Sequence, residues 1–204
     1  MARLPGWDAD SPQLNQNLED TLSLAQQEAE SREKPNARMA QTWQRQIMHG
    51  LDVPRPEHVG RFRGSRGLEF IGVRIGSATG VAPEEVAKQL VAFSRNLQKV
   101  VKALDDVIEP GARPANADEL QAVVSFAAWV HSEWVRIHPF ANGNGRTARL
   151  WANYIFMRYG LPPVIQLRPR PDDGYERASA AAMGGDSAPT ARVFMTVLSG
   201  ALKP

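Results

Sequence analysis

The sequence predicts an all-α domain carrying one β-hairpin near its middle. Apolar residues recur at spacings of three and four through seven separate segments, which is the signature of helices that bury one face. Strand-forming residues gather in a single stretch between Gly60 and Gly76, where Leu68, Phe70, Val73 and Ile75 stand among five glycines. At 204 residues, with 43% hydrophobic and 23% charged side chains, the chain has the composition of an ordinary globular protein. One domain with a helical extension is expected, the extension covering 1–55 and the main domain 56–204.

Residues 1–12 read as an irregular lead-in containing Pro5, Gly6 and Pro12. Leu14, Leu18, Leu22 and Ala25 then mark a polar helix to about Arg32, closed by Pro35. A second helix runs from about Ala37 to Gly50, with Met39, Trp43 and Ile47 on one face, and ends before Pro54-Arg-Pro56. The hairpin is expected over 60–76, with Gly64 to Gly67 supplying its turn. Arginines at 61, 63, 66 and 74 form a basic patch there, read as a solvated hairpin surface or an anion contact.

Residues 83–105 form a third helix, opened by Pro83 and Glu84-Glu85, residues that suit the free amides and positive end of a helix. Pro, Gly and Ala at 109–117 make a loop. The most apolar helix follows, about Asp118 to Ile137, and Pro139 ends it near His138. Another runs from about Arg146 to Tyr159 and is capped by Gly160. Shorter helices occupy 174–184 and 190–202. No internal repeat is present.

Several function classes are excluded early. The chain has no cysteine, so disulfides, zinc–thiolate sites and cysteine nucleophiles are absent, in keeping with a cytoplasmic setting. No apolar run approaches the roughly 18 residues that span a bilayer, and the first ten residues lack the apolar stretch of a secretory signal. A net charge of +2 is too small to imply a polyanion, so neither a nucleic-acid nor a membrane partner is expected.

The chemistry lies in residues 138–149, His-Pro-Phe-Ala-Asn-Gly-Asn-Gly-Arg-Thr-Ala-Arg. A histidine at a helix end precedes a glycine-rich turn that feeds the next helix, and the free amides and dipole of such a helix start attract anions. Gly143 and Gly145 let a phosphate approach the backbone closely. Arg146 and Arg149, three apart, share one helical face and can direct both guanidinium forks at the same anion. His138, at the other rim, has a pKa suited to taking a proton near neutrality. A base, an anion cradle and two cations describe phosphoryl or nucleotidyl transfer. The other histidines read as structural: His131, two turns before His138, as buried and hydrogen-bonded, and His49 and His58 as surface or turn residues. Trp129, Trp134, Trp151 and Tyr154 fall at core spacings.

This segment resembles the signature of the Fic family (Fic/Doc, or Fido, domains), His-x-Phe-x-(Asp/Glu)-Gly-Asn-Gly-Arg-x-x-Arg. Gly60-Arg-Phe-Arg63 with Val73-Arg-Ile-Gly76 resembles the family's flap hairpin, Ala127-Ala-x-x-His131 its central helix, and Leu161-Pro-Pro163, Tyr175 and Gly185-Asp186 the helices that follow. The resemblance implies a helical bundle with a hairpin flap, and a protein adenylyltransferase using ATP and Mg²⁺. By the same resemblance His138 is the general base that deprotonates a target hydroxyl. Gly143, Asn144 and Gly145 hold the α- and β-phosphates through backbone amides and the Asn144 side chain. Arg146 faces the β-phosphate, Arg149 the γ-phosphate, and Phe140 is a buried anchor. The flap, about Arg63 to Val73, clamps an extended target segment by strand addition.

One position departs from the pattern. Asn142 stands where the family has the acid that holds Mg²⁺, and an amide oxygen is a weaker, uncharged ligand. Three outcomes stay open: a slower adenylyltransferase, use of another phosphate-containing donor, or a nucleotide binder with little activity. Doc-type members, which phosphorylate their targets, carry Lys and Ala where this chain has Gly145 and Gly143, so monophosphate transfer is the favoured reading. The family's inhibitory-helix pattern is approached only by Ser31 to Asn36 and Ser179 to Gly184, both without its glutamate. That absence leaves room for an antitoxin-like inhibitory partner acting in trans.

Overall fold

The computed structural model describes residues 4–75, 78–171 and 174–202. Seven α-helices appear among them: α1 (Pro12–Glu30), α2 (Met39–Ile47), α3 (Pro83–Asp105), α4 (Ala117–Ile137), α5 (Asn144–Arg158), α6 (Tyr175–Met183) and α7 (Ala188–Ala201). The all-α expectation therefore holds, and every helix lies within a few residues of its expected span. Local chemistry explains the starts. The Ser11 hydroxyl caps α1 by accepting from the Leu14 amide, Asn116 caps α4 by accepting from the Glu119 amide, and Pro83 with Glu84 and Glu85 opens α3.

The hairpin sits later than expected. Its strands are β1 (Arg74–Ile75) and β2 (Ala78–Thr79), antiparallel with Arg74 opposite Thr79. Residues 60–70 form turns and bends, and Gly64 and Gly67 serve them with left-handed backbone rather than turning a hairpin. Glycine and arginine density in this stretch leaves too few paired β-formers to sustain a ladder. Gly76, part of the hairpin resemblance, lies outside the described residues.

Helices α4 and α5 form the centre. Trp134 and Ile137 of α4 and Trp151, Tyr154, Ile155 and Phe156 of α5 are fully buried. The Trp43 and Trp151 rings meet edge-on at 4.6 Å, and Phe93 of α3 joins Trp134 at 5.2 Å. Helices α1 and α2 pack on α5 within this same core, while α3, α6 and α7 cover α4. The Asp105 carboxylate, accepting from Arg32 at 2.6 Å and Arg158 at 2.7 Å, ties the end of α1 to α3 and α5. No helix among the described residues is long and apolar enough to cross a membrane.

Candidate active site

The motif occupies the junction of α4 and α5. Helix α4 stops because His138 takes left-handed backbone (φ 53°) ahead of Pro139. Phe140 is buried against Phe62 at 5.0 Å and Trp134 at 5.9 Å, the anchoring role expected of it. Asn144 closes the loop: its Oδ1 accepts from the Phe140 amide and its Nδ2 donates to the Phe140 carbonyl, both at 2.8 Å. This adds a structural role to the one expected. With Oδ1 and one of the two Nδ2 hydrogens engaged by residue 140, the Asn144 side chain first of all shapes the loop, and one N–H remains beyond those two bonds.

Helix α5 begins at Asn144 with left-handed Gly143 (φ 88°) as its cap and no side-chain cap. A Cβ at 143 would stand 3.0 Å from the flexible Met48 methyl, so glycine is favoured mainly by the left-handed backbone. Thr147 is the first residue of α5 whose amide closes onto the backbone, donating to the Gly143 carbonyl at 3.0 Å. Among the described residues, no protein group accepts from the amides of Asn144, Gly145 and Arg146. Three orphan donors at a helix N-terminus form the anion cradle expected from the sequence.

These groups open onto a cleft of about 1210 Å³, lined by His138, Asn142, Gly143, Asn144, Gly145, Arg146 and Arg149 together. The fold thus gathers every sequence-predicted site residue at one place. Helix periodicity alone could align the arginines, but the left-handed turn at residue 138 is what swings the histidine to the same rim.

The imidazole is held in a usable form. His138 Nδ1 lies 3.0 Å from the Val135 carbonyl, an acceptor, so Nδ1 carries the proton and Nε2 keeps its lone pair. Burial, opposed by that hydrogen bond and aided by the nearby Arg63 charge, lowers the His138 pKa to about 4. The ring is therefore neutral at physiological pH and ready to accept a proton.

Both arginines are largely buried, and each is oriented by partners that the sequence did not disclose. Arg149 donates to the Leu167 carbonyl at 2.7 Å and the Tyr175 hydroxyl at 3.3 Å, with its guanidinium over the Tyr175 ring. The same hydroxyl lies 2.7 Å from Nε2 of His131. His131 is wholly buried, and desolvation holds its pKa down to about 3, so it is the structural histidine expected. Arg146 donates to the Trp7 carbonyl at 3.0 Å and to Asp8 Oδ1 at 2.9 Å. Burial, partly offset by Asp8, lowers its pKa to about 10, still well protonated at neutral pH.

Asn142 faces two ways. Its Oδ1 accepts from the Gly143 amide and from Arg146, while its Nδ2 donates to Asp8 Oδ2 at 2.8 Å. Its amide oxygen is thus turned into the loop.

Away from the motif, one expectation is corrected. Arg63, expected in a solvated or anion-binding patch, is 1% exposed and donates to four carbonyls, those of Ile71, Val81, Ile137 and His138. His58 is in a turn as expected, but buried and stacked on Trp7 at 5.5 Å, whereas His49 is exposed. The segment after β2 meets His138 directly, because a Cβ on Gly80 would come within 2.7 Å of the His138 Cβ. Asp8, Arg168 and Arg170 also line the cleft. All three lie in irregular segments, where no periodicity signals which way a side chain points.

Comparisons with known proteins agree with this geometry. The family model described as "Fic/DOC family" matches residues 34–156. The protein adenylyltransferase Fic of Nematostella vectensis is 36% identical over 110 residues, 54% of this chain and 21% of that protein. The chain thus spans only about a fifth of that relative's length. A Fic-domain signalling protein from Bacteroides thetaiotaomicron superposes with a TM-score of 0.65 at 20% identity, covering 92% of this chain and 69% of the other. A Fic-1 structure from Caenorhabditis elegans gives 0.63 at 26%, covering 91% and 48%. With the motif, the helical bundle and more than half of the chain matched by the family model, the chain belongs to the Fic/DOC family.

Proposed function

We propose that this protein transfers a nucleoside monophosphate, AMP from ATP in the simplest case, to a hydroxyl side chain of a target protein. One observation carries the reading: a neutral histidine with a free Nε2 shares a cleft with three unpaired helix-start amides and two buried arginines. The relatives' names, protein adenylyltransferase, point the same way.

The orphan amides of residues 144–146 and the guanidinium groups of Arg146 and Arg149 bind the polyphosphate and fix the α-phosphorus for in-line attack. His138 Nε2 takes the hydroxyl proton as the new oxygen–phosphorus bond forms. The bond from the α-phosphorus to its bridging oxygen breaks and pyrophosphate leaves, its charge facing the arginines. A divalent cation, Mg²⁺ in the simplest case, supplies further neutralisation of the leaving group when bound. Asp8 and Asn142 are the oxygen-bearing side chains beside Arg146 that would hold it. Among the described residues no three His, Asp or Glu side chains cluster into a metal cage, which fits a cation that arrives largely ligated by phosphate and water. Glycine at 143 and 145, where Doc-type members carry Ala and Lys, supports monophosphate transfer over Doc-like phosphorylation.

The target segment docks along the hairpin, whose Val73 and Arg74 line the cleft beside His138. A cytoplasmic setting and an inhibitory partner in trans, as in a toxin–antitoxin pair, complete the reading. The test is incubation of the wild type and of His138→Ala with labelled nucleotides in a host lysate, followed by mass spectrometry of modified side chains. Labelling of Ser, Thr or Tyr by AMP that vanishes in His138→Ala is expected. Equal labelling by both proteins would remove the proposed base.

A further inference from the structure

The N-terminal strap enters the site through one residue. Pro5, Gly6 and Trp7 lie beside Asp52, with Trp7 N–H donating to the Asp52 carbonyl at 3.2 Å and Asp52 N–H to the Pro5 carbonyl at 2.7 Å. Trp7 stacks on His58, Ala9 N–H closes a turn onto the Gly6 carbonyl at 2.9 Å, and Ser11 starts α1. Asp8 stands in this turn between two fixed points. Its Oδ1 accepts from Arg146 and its Oδ2 from Asn142. A carboxylate offers about four acceptor positions, and this side chain is 64% exposed where it lines the cleft.

We propose that Asp8 is the acid of this active site: it supplies, from the N-terminal strap, the carboxylate ligand for a nucleotide-borne divalent cation that residue 142 does not provide. The inference rests on the nucleotide-transfer reading above and adds a ligand to it. Asn142 can be no more than an auxiliary ligand, because it carries no charge and its oxygen already accepts from Gly143 and Arg146. It is suited instead to sit beside an acid, since its Nδ2 donates to Asp8 at 2.8 Å. An aspartate at 142 would bring two carboxylates to about that separation, where like charges cannot both ionise freely. Asp8 and Asn142 are therefore a matched pair, with the charge moved from the loop to the strap.

An alternative role for the same carboxylate would be a plug that competes with phosphate for Arg146. The strap's anchoring argues against it. Hydrogen bonds to Asp52, the stack on His58 and the start of α1 hold Asp8 from both sides, as part of the cleft wall rather than a detachable segment.

The two roles predict opposite signs. Binding of a non-hydrolysable ATP analogue is measured by calorimetry in chelator and in Mg²⁺, and Mn²⁺ bound with the analogue is followed by electron paramagnetic resonance. The proteins are wild type, Asp8→Asn, Asn142→Asp and the double variant. In chelator, Asp8→Asn binds the analogue as well as wild type or better, since a nearby negative charge is gone. With Mg²⁺ or Mn²⁺ it binds about tenfold more weakly or worse, the scale set by loss of a metal-orienting group. Returning the acid at 142 in the double variant restores the metal-dependent gain, whereas Asn142→Asp alone gives little, its charge opposed by Asp8. Tighter binding by Asp8→Asn with Mg²⁺ as well, or a metal-dependent gain of unchanged size, overturns the proposal. If the wild type binds no analogue under any condition, the nucleotide reading itself fails first, and this one with it.

Discussion

The guanidinium of Arg63 donates to the carbonyl of His138 at 2.7 Å and to that of Ile137 at 3.1 Å, gripping the last turn of α4 where it reverses into the motif. Two further donations, to Ile71 and Val81, fasten both flanks of the hairpin to the same point. One buried cation thus joins the hairpin, the helix end and His138. Arg63→Ala leaves four carbonyls short of a donor and should cost about 3 kcal/mol or more. Arg63→Lys should recover little of this, because a single ammonium cannot span the fork's geometry. Urea denaturation checks both, with a clearly lowered midpoint expected for each.

The state of His138 sets the pH dependence. With its pKa near 4, the base loses function only as pH falls toward that value, not near the 6.5 of a free imidazole. A kcat/KM profile in acid, which reports the free protein, should therefore stay level through pH 6 and break well below it. Stability follows the same groups. The folded-state pKa values of His138 and His131, about 4 and about 3, lie below the unfolded value. The unfolded chain thus binds protons first, and stability present above pH 6.5 is lost as pH falls toward 4 and then 3. Thermal melts across that range check the sign.

Gly80 is required by closeness rather than backbone conformation. An added methyl would stand 2.7 Å from the His138 Cβ and 3.0 Å from the Arg63 guanidinium. Gly80→Ala must shift the hairpin or the imidazole, so kcat should fall at least tenfold, the scale of an ångström-level misplacement, with nucleotide affinity nearly intact. Single-turnover labelling beside calorimetry separates the two quantities.

Arg146→Ala and Arg149→Ala should weaken ATP binding far more than AMP binding, since the proposed function turns both forks toward the outer phosphates. Tyr175→Phe should reproduce a milder form of the Arg149 effect. It keeps the ring over the guanidinium but removes the hydroxyl that Arg149 and His131 share. Calorimetry with both nucleotides checks the ordering, and equal losses for ATP and AMP would show that the orientation is wrong.

The sequence by itself determined the helices and the motif, because both are local. Periodicity of three and four placed α3, α4 and α5, and Pro139 dictated where α4 ends. The spacing of His138, Gly143, Gly145, Arg146 and Arg149 across one helix–turn–helix junction fixed what those groups could do together. Tertiary structure decided which irregular segments reach that junction. Asp8 lies 134 residues from Asn142 along the chain yet hydrogen-bonds to it, and Arg63 crosses 75 residues to hold His138. The Asn144 side chain, read only as a phosphate ligand, also braces the loop, because the loop's own amide and carbonyl at Phe140 needed partners away from water. Residues such as these belong to turns and straps without a repeating pattern. Their direction is set only when the core brings distant backbone carbonyls and charges together and each buried polar group must find a partner.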